Sequence, residues 1–394
     1  MSKHYIVFVR DTLPKPEAHL VWAAHCANGA ANLGYSAVLV YLQKGISAHN
    51  PIAWIAPFHP RRPSLELQKF YNLKDRLKVS PLPIPWPIDR FKGKWLNSSS
   101  LVCKYYFPVH IAPSTQIVHT RNWNFVKAAI QNNIPVIYEH HHYDPKKFAP
   151  AIVRHPCFKV AITLSEPVRD HMVQQGMPAE KILKLSSGLN PVFLDRQPNA
   201  AKAWREHLLT QECQHLVVYA GALYRFKGVD LLIDVAKQLP QVQFAFAGGN
   251  KKQILTYQQL TREKKVANVT FLGYLPQDRL AALLQSADIL AHPHCAGEAA
   301  TFTSPLKFFD YLASGSPIVA TEIPPLMDFK SAAVVAGWCE PNQPLQLAHC
   351  IQRVLETHPR KAEGNLHNIE FAQQFSWENR IQKILNHVKT PMSK

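Results

Sequence analysis

The second half of the chain repeats one local pattern, in which an apolar segment of strand length is followed directly by a loop that contains glycine. Strands that alternate with helices in this way predict a parallel sheet with helices on both of its faces. In open sheets of that kind, ligands bind at the carboxyl ends of the strands, which is where these loops lie. The pattern occurs at 216–233, 243–250 and 269–276, and further strands are predicted at 288–291, 317–320 and 332–335.

A fourth segment, 304–320, reads S-P-L-K-F-F-D-Y-L-A-S-G-S-P-I-V-A and predicts a short helix followed by a buried strand. Ser304 and Pro305 are typical of a helix start, and Gly315 is typical of a helix end. The free backbone N–H groups and the positive dipole end at such a helix start suit a phosphate. Asp310 lies deeper in the helix, where we expect its carboxylate to meet a ribose or sugar hydroxyl.

Taken together and in this order, the four segments resemble the donor-binding domain of the retaining GT-B glycosyltransferases of group 1. Lys227 followed by Gly-Val-Asp is similar to the diphosphate-binding loop of that family, and 304–319 is similar to one variant of its acidic signature. The resemblance implies an α/β fold of GT-B type, with two Rossmann-like domains whose parallel sheets face each other across a cleft. It covers nearly all of 215–386 and extends more thinly to 136–142, 162–166 and 187–190.

The length of 394 residues suits two domains that each bury a core. The resemblance implies an N-terminal acceptor-binding domain at 1–188, a nucleotide-sugar donor-binding domain at 189–375, and a C-terminal helix at 376–394 that crosses back to the first domain. Residues 44–113 hold many of the 31 prolines, and we expect irregular elements there.

On the donor side, the resemblance assigns the diphosphate to Lys227, whose charge opposes the negative charge that grows as the sugar bond breaks. Relatives also carry an arginine directly after the glycine of the first loop. That position is Ala222 here, and Arg225 is the expected substitute. The other donor-side residues that the resemblance implies are Gly221, Gly248, Gly249 and Tyr274, with Ser304, Leu306 and Lys307 at the start of the predicted helix.

The acidic signature of the family has two carboxylates, and only the second is in place here. Asp310 occupies the second position and is expected to accept hydrogen bonds from the nucleotide ribose. The first position, where the carboxylate of the family contacts the transferred sugar, falls on Phe302. Glu298 lies just upstream, and either it fills this role from a shifted loop or no residue does.

Three consecutive histidines, His140, His141 and His142, are expected where a strand at 136–139 ends in the first domain. Histidine can orient or protonate groups near neutral pH, and Glu139-x-His141 resembles the acceptor-side histidine of the family. A partly exposed strand end is the alternative interpretation. Lys15, in the loop after the first strand, is a further acceptor-side candidate.

Neither a metal nor a cofactor is expected. Consecutive histidines chelate a metal poorly on an extended backbone, and no D-x-D pair occurs that could hold a cation on a diphosphate. The nucleotide-sugar donor is expected as a substrate.

Positive charge is concentrated in the first half of the chain. The net charge is +17, and residues 1–190 hold 23 Lys and Arg against 10 Asp and Glu. The densest part, 51–104, mixes these cations with aromatic residues, which fits a solvated basic face, contact with an anionic membrane, or a nucleic-acid surface. No nucleic-acid module is recognised, so nucleic acid is not an expected partner.

The sequence also indicates a compartment. The seven cysteines form no C-x-x-C pair, and neither an apolar run of membrane-spanning length nor a signal-peptide pattern occurs. We therefore expect a cytoplasmic protein, with peripheral contact at the inner face of a membrane as a further hypothesis.

As a whole, the resemblance implies a hexosyltransferase-type enzyme that moves a sugar from a nucleotide-sugar donor to the hydroxyl of a saccharide or lipid-linked acceptor, with retention of configuration. Polysaccharide or glycolipid biosynthesis is the expected context. The alternatives are a non-catalytic nucleotide-sugar or polysaccharide-binding protein, and a sugar epimerase or phosphorylase on the same scaffold. The catalytic candidates are His141, Lys227, Glu298 and Asp310.

Overall fold

A computed structural model of the chain describes residues 3–44, 55–74, 76–84, 97–145, 147–302 and 306–388. The chain forms two compact units. Unit 1 comprises Met1–Gly188 and Trp377–Lys394, and unit 2 comprises Leu189–Ser376. The chain therefore leaves unit 1 after Gly188 and re-enters it at Trp377.

The described part of unit 1 is built on a seven-stranded sheet. Its strands are β1 (His4–Phe8), β2 (Ala37–Lys44), β3 (Lys78–Ile84), β4 (Thr115–Thr120), β5 (Val136–Glu139), β6 (Phe158–Thr163) and β7 (Ile182–Lys184). They lie in the order β3-β2-β1-β4-β5-β6-β7, and every pairing is parallel. The order reverses between β1 and β4, so the loops after these two strands border a crevice at the carboxyl edge of the sheet.

Helices connect these strands. They are α1 (Ala18–Asn32), α2 (Leu65–Tyr71), α3 (Ser98–Leu101), α4 (Trp123–Gln131), α5 (Pro150–Val153) and α6 (Glu166–Gln174), and a π-helical segment continues α3 over Val102–Ile111. The N-terminal residue of α4 is capped by the side chain of Asn122, whose Oδ1 accepts from the backbone N–H of Phe125.

Unit 2 has a six-stranded parallel sheet in its described residues. Its strands are β8 (His215–Ala220), β9 (Val242–Ala247), β10 (Val269–Gly273), β11 (Ile289–His292), β12 (Ile318–Thr321) and β13 (Gly337–Cys339), in the order β10-β9-β8-β11-β12-β13. The helices from here to the C-terminus are α7 (Pro198–Leu208), α8 (Val229–Gln238), α9 (Lys251–Glu263), α10 (Gln277–Ser286), α11 (Glu298–Phe302), α12 (Leu306–Ser314), α13 (Pro324–Met327), α14 (Pro344–Thr357), α15 (Leu366–Gln373) and α16 (Trp377–Val388).

Both faces of the second sheet are buried. Val217 and Val218 are neighbours on β8, so their side chains point to opposite faces, and each belongs to a different apolar cluster. Val218 packs in the cluster that contains Phe308 of α12, and Val217 packs in the cluster that contains Leu232 of α8. This arrangement confirms the predicted fold class, an α/β protein with two Rossmann-like parallel sheets.

The prediction of irregular elements at 44–113 was wrong in part, because this region contains β3, α2 and α3. Pro81 and Pro83 lie within β3, at the edge of the first sheet. Val79 has the same orientation in the strand as the two prolines. Its N–H points away from β2 and donates to the carbonyl oxygen of Arg61. The nitrogens of both prolines therefore also point outward, so the missing N–H groups remove no hydrogen bond to β2.

The C-terminal helix α16 packs against α1 of unit 1. Trp377 lies against two glycines of that unit: a Cβ atom on Gly188 would come within 2.4 Å of the indole, and one on Gly29 within 3.0 Å of the Trp377 backbone carbon. Arg380, one turn further, donates two hydrogen bonds to Glu139 at 2.6 and 2.9 Å and one to the carbonyl oxygen of Ser186 at 2.8 Å. A buried ion pair thus joins α16 to the end of β5.

We expect Arg380→Met to lower the free energy of unfolding by about 3–5 kcal/mol, because it leaves the Glu139 carboxylate buried without its main counter-charge. The additional change Glu139→Gln is expected to recover part of this loss, since the pair and not either residue alone is required. Urea denaturation measures both effects. Lys383→Met, an exposed change on the same helix, is the control, and a loss in Arg380→Met no larger than in this control would contradict the prediction.

Candidate functional site

The loops after β8 and β11 lie side by side at the carboxyl edge of the second sheet, where the strand order reverses. The N–H of Cys295 donates to the carbonyl oxygen of Phe226 at 2.9 Å. Gly228 has a φ of +74° and lies so close to Pro293 that a Cβ atom would be 1.7 Å from its carbonyl oxygen. Only glycine fits here. The start of α8 is thereby held against the loop that follows β11.

Lys227 directly precedes this glycine and is half-buried. Burial, together with the charge of Lys307, lowers the pKa of its ammonium to about 8. Its Nζ lies 6.0 Å from the ring centre of Phe226, and no carboxylate of the described residues forms an ion pair with it. An unpaired cation beside a helix start at the carboxyl edge of a parallel sheet is a suitable place for an anionic group.

Lys307 and Asp310 lie on α12 and contact each other. Nζ of Lys307 donates to Oδ2 of Asp310 at 2.8 Å. Burial raises the pKa of Asp310, and the ammonium of Lys307 opposes that rise. The Lys307 ammonium also lies 5.3 Å from the ring centre of Phe193. The two residues that the sequence assigns to phosphate and to ribose are thus one ion pair. Ser304 lies outside the described residues, and Leu306 is the first residue of α12.

Glycines bring three strand-end loops of unit 2 into direct contact. A Cβ atom on Gly248, whose φ is +122°, would lie 2.1 Å from the carbonyl oxygen of Gly221, and one on Gly249 would lie 2.6 Å from Leu223 Cδ1. The N–H of Gly248 donates to the carbonyl oxygen of Gly273 at 2.7 Å. Gly221, Gly248 and Gly249 therefore have a packing role in addition to any contact with a ligand.

Two further donor-side candidates lie at the surface. Arg225 is almost fully exposed, and its Nε is 3.4 Å from Oδ2 of Asp230 on α8. Tyr274, the residue after β10, has 48% of its surface exposed. Both side chains are therefore accessible from solvent.

Glu298 is the first residue of α11, and its side chain is exposed. Of the two alternatives given for Glu298, a role from a shifted loop does not fit the structure, because the residues that follow Gly297 are helical. The backbone of Phe302 forms the last position of the same helix, and its side chain lies outside the described residues.

Sequence reasoning missed two histidines in this part of unit 2. His292 is the last residue of β11 and His294 follows Pro293, and their ring centres are 4.0 Å apart. Each is buried, and the Nδ1 atom of each has no hydrogen-bond partner. Burial and the charge of Lys227 lower the pKa of His292 to about 3. The sequence His-Pro-His directly after an apolar strand, at the same sheet edge as Lys227, is a pattern from which they could have been predicted.

In unit 1, the acceptor-side candidate Lys15 forms an ion pair. It lies in the loop between β1 and α1, and its Nζ donates to Oδ1 of Asp11 at 2.6 Å. Its ammonium is thus partly neutralised at the carboxyl edge of the first sheet.

The three histidines follow β5 and do not belong to it, because the strand ends at Glu139. The Nε2 of His141 bonds Oε2 of Glu139, and burial lowers the pKa of His141 to about 3. The Nδ1 of His140 bonds the hydroxyl of Tyr138 at 2.9 Å, and burial lowers the pKa of His140 to about 4. His142 is exposed, and its ring stacks on His140 with centres 5.6 Å apart. His140 and His141 are therefore neutral near pH 7.

The tautomer of His141 follows from this contact. The pKa of Glu139 is well below its usual range because of Arg380 and the two imidazoles around it, so this carboxylate is ionised and accepts hydrogen bonds. The Nε2 of His141 must therefore carry the proton, and Nδ1 is left as an acceptor.

Within the described ranges, no three His, Cys, Asp or Glu side chains are grouped so that they could hold a metal ion. In the same part of the chain, no helix has the length and apolar character needed to cross a membrane.

Residues 201–369 match the family model of the glycosyl transferases group 1. Among curated proteins, the chain is 28% identical over 188 residues to a D-inositol 3-phosphate glycosyltransferase of Corynebacterium aurimucosum, which covers 45% of this chain and 44% of that protein. It is 25% identical over 206 residues to a processive diacylglycerol alpha-glucosyltransferase of Acholeplasma laidlawii, which covers 52% of this chain and 58% of that protein. The match thus spans about half the length of these relatives.

A solved structure has the same fold over almost the whole chain. HepE of Anabaena in complex with UDP and glucose aligns with a TM-score of 0.68 and 18% identity, and the alignment covers 97% of this chain and 99% of that one. At this identity the likeness concerns the fold.

We expect the affinity for the nucleoside diphosphate probes UDP, GDP and ADP to fall as the pH rises through about 8, by up to about tenfold per pH unit, because Lys227 loses its charge there. Below that pH the ammonium is protonated and the affinity does not change with pH. Lys227→Met is expected to bind whichever probe the native protein binds about ten- to a hundredfold more weakly and without this pH dependence. Calorimetric titration of both proteins between pH 7 and about 9.5 measures the affinity and its pH dependence. Equal slopes in both proteins would show that another group titrates.

Proposed function

We propose that the chain is a group 1 glycosyl transferase, whose family model matches residues 201–369, and that it transfers a sugar from a nucleotide-sugar donor to an acceptor hydroxyl with retention of configuration. The observation that carries the proposal is Lys227, an unpaired cation beside the start of α8 at the crevice of a doubly wound sheet. Hydrogen-bonded loops hold that residue in place, so the site is preorganised.

In the proposed reaction, negative charge develops on the diphosphate as the bond to the sugar breaks. Lys227 stabilises this charge, and its stabilisation is stronger in a partly dry site than in water. The free N–H groups at the start of α8 add to it. Because the protein itself supplies the positive charge, we propose a reaction that needs no metal.

We further propose that Asp310 orients the nucleotide ribose while its ion pair with Lys307 is kept. A buried carboxylate with one bound ammonium still has free lone pairs, so it can accept hydroxyl donors. Lys307 then acts by keeping Asp310 ionised against the effect of burial.

The acceptor is proposed to bind at the carboxyl edge of the first sheet, near His141. The Nδ1 of this neutral imidazole can accept the proton of an acceptor hydroxyl and so orient its oxygen. Glu139 fixes the ring through Nε2. With a pKa of about 3, His141 is not a general acid at neutral pH, and its proposed role is to orient the acceptor.

The acceptor is proposed to be a saccharide or a lipid-linked saccharide, in polysaccharide or glycolipid biosynthesis. One relative carries the name of a diacylglycerol glucosyltransferase. Unit 1 also exposes large apolar side chains, including Leu65 at 73% and Val109 at 64%, within its basic sequence. This combination favours a cytoplasmic protein with peripheral contact to an anionic membrane.

A second candidate is a protein that binds a nucleotide sugar without transferring it. The observation in its favour is the absence of the first carboxylate of the acidic signature: Phe302 occupies that position, and Glu298 is exposed at the start of α11. This reading shares the donor site with the enzyme but predicts no product.

To test the proposal, the purified protein is screened with UDP, GDP, ADP, CMP and their common sugar conjugates. We expect one nucleotide to raise the melting temperature, since it binds only the folded state, and Lys227→Met to abolish the shift. Lys237→Met, an exposed change at the far end of α8, should keep it. With an acceptor, NMR should show a product whose anomeric configuration equals that of the donor. A thermal shift without turnover across the acceptors would favour the binding protein.

For the membrane contact, we expect the protein to partition onto vesicles that contain anionic lipid and not onto neutral vesicles, and to be released by salt. Replacing Arg61 and Arg62, both exposed, with glutamine should weaken this partitioning, whereas Lys251→Gln in unit 2 should not. Equal partitioning onto anionic and neutral vesicles would refute an electrostatic contact.

A further inference from the structure

Arg121 directly follows β4, so it lies at the crevice of the first sheet, where the strand order reverses between β1 and β4. Its backbone position equals that of residues that hold ligands in doubly wound sheets. No role has been assigned to it so far, since neither its spacing nor its neighbours in the sequence resemble a motif.

The guanidinium of Arg121 has no hydrogen bond and no ion pair with any described residue. It lies over the ring of Trp22, with Cζ 6.0 Å from the ring centre. Arg121 is half-buried, and burial lowers its pKa because part of its hydration is removed. An arginine that loses water without gaining a carboxylate is destabilising by itself, because five N–H donors remain to be satisfied.

The nearby Glu139 does not neutralise this arginine. Its two oxygens are already occupied by Arg380 and by the imidazoles of His119 and His141. The charges of Arg380 and Glu139 compensate each other, so the positive charge of Arg121 remains uncompensated.

The charge of Arg121 acts on four histidines: it lowers the pKa of His19, His140, His141 and His142. The ring of His141 is 6.1 Å from the Trp22 ring that lies beneath Arg121, and the rings of His140 and His142 stack with centres 5.6 Å apart. Acidic groups raise the pKa of three of these imidazoles: Asp11 and Glu17 act on His19, and Asp144 acts on His140 and His142.

One of these imidazoles has an unpartnered nitrogen. Nε2 of His140 is buried without a hydrogen-bond partner, while Nδ1 bonds the Tyr138 hydroxyl. When that hydroxyl donates to Nδ1, Nε2 carries the ring proton and can donate to a ligand. An unpaired guanidinium and a buried, unpartnered imidazole nitrogen therefore occur in the same cluster.

We propose that Arg121, with His140 and His142, forms a binding subsite for a phosphate group of the acceptor. The planar guanidinium presents paired N–H donors that match two oxygens of a phosphate, and imidazole N–H groups can bind a third oxygen. A tetrahedral phosphate offers more acceptor atoms than a carboxylate, which suits this number of donors. The inference rests on the proposed function in one respect, which is that the bound phosphate belongs to the acceptor.

The test uses the full chain with Lys227→Met, so that phosphate binding at the donor site is suppressed. In that background, titration with inorganic phosphate is expected to be saturable, and Arg121→Gln is expected to weaken it by about ten- to a hundredfold. Arg121→Lys, which keeps the charge without the paired donors, should recover only part of the affinity. Arg154→Gln, an exposed change in unit 1, should leave it unchanged.

Two probes distinguish the sources of the phosphate. Tighter binding of glycerol 3-phosphate than of glucose 6-phosphate would assign the subsite to a lipid headgroup, and the reverse order would assign it to a free sugar phosphate. The absence of saturable phosphate binding, or equal binding by Arg121→Gln with an unchanged melting temperature, would overturn the proposal. UDP binding by the protein with its native Lys227 is measured separately, so a failure of the donor site leaves this result interpretable.

Discussion

The ion pair between Glu139 and Arg380 is the interaction on which unit 1 depends. Glu139 ends the fifth strand with a fully buried carboxylate, and Arg380 on the C-terminal helix donates two hydrogen bonds to it. Such a carboxylate is stable only if its desolvation is offset by several donors, and here His119 and His141 complete the set. The same contacts keep the chain terminus in unit 1 and fix the tautomer of His141. Stability and the orientation of a proposed acceptor-side group thus have one physical origin.

Paired and unpaired charges separate the structural parts of the molecule from its proposed binding parts. Lys15 has Asp11, Lys307 has Asp310, and Arg380 has Glu139. Lys227 and Arg121 have no such partner in the described structure, although burial lowers the pKa of both. Arg121 directly follows β4, and Lys227 stands two residues before α8, each at the carboxyl edge of a parallel sheet. A cation that is desolvated but unpaired is favourable only when a ligand supplies the opposite charge, which is why both carry proposals here.

Local sequence patterns predicted much of the fold. They failed where the position of a segment in the tertiary structure outweighs the usual preference of its residues. Strand β5 has the predicted bounds, and β8 to β12 each begin within one residue of the start of the predicted segment. The strand expected at 332–335 instead forms at Gly337–Cys339, because residues Lys330–Ala332 make a helical turn. Prolines misled the prediction for 44–113, since an edge strand tolerates proline and the sequence does not reveal which strand is at the edge.

The sequence by itself determined the fold class and the position of Lys227, because apolar periodicity, strand-end glycines and helix-start signals act between residues that are close in the chain. The tertiary structure alone decided which charges are paired. Glu139 and Arg380 are 241 residues apart, and His292 and His294 lie beside Lys227 only because β11 is placed next to β8. Burial and long-range pairing set the protonation of these groups, and neither quantity can be read from residues that are adjacent in sequence.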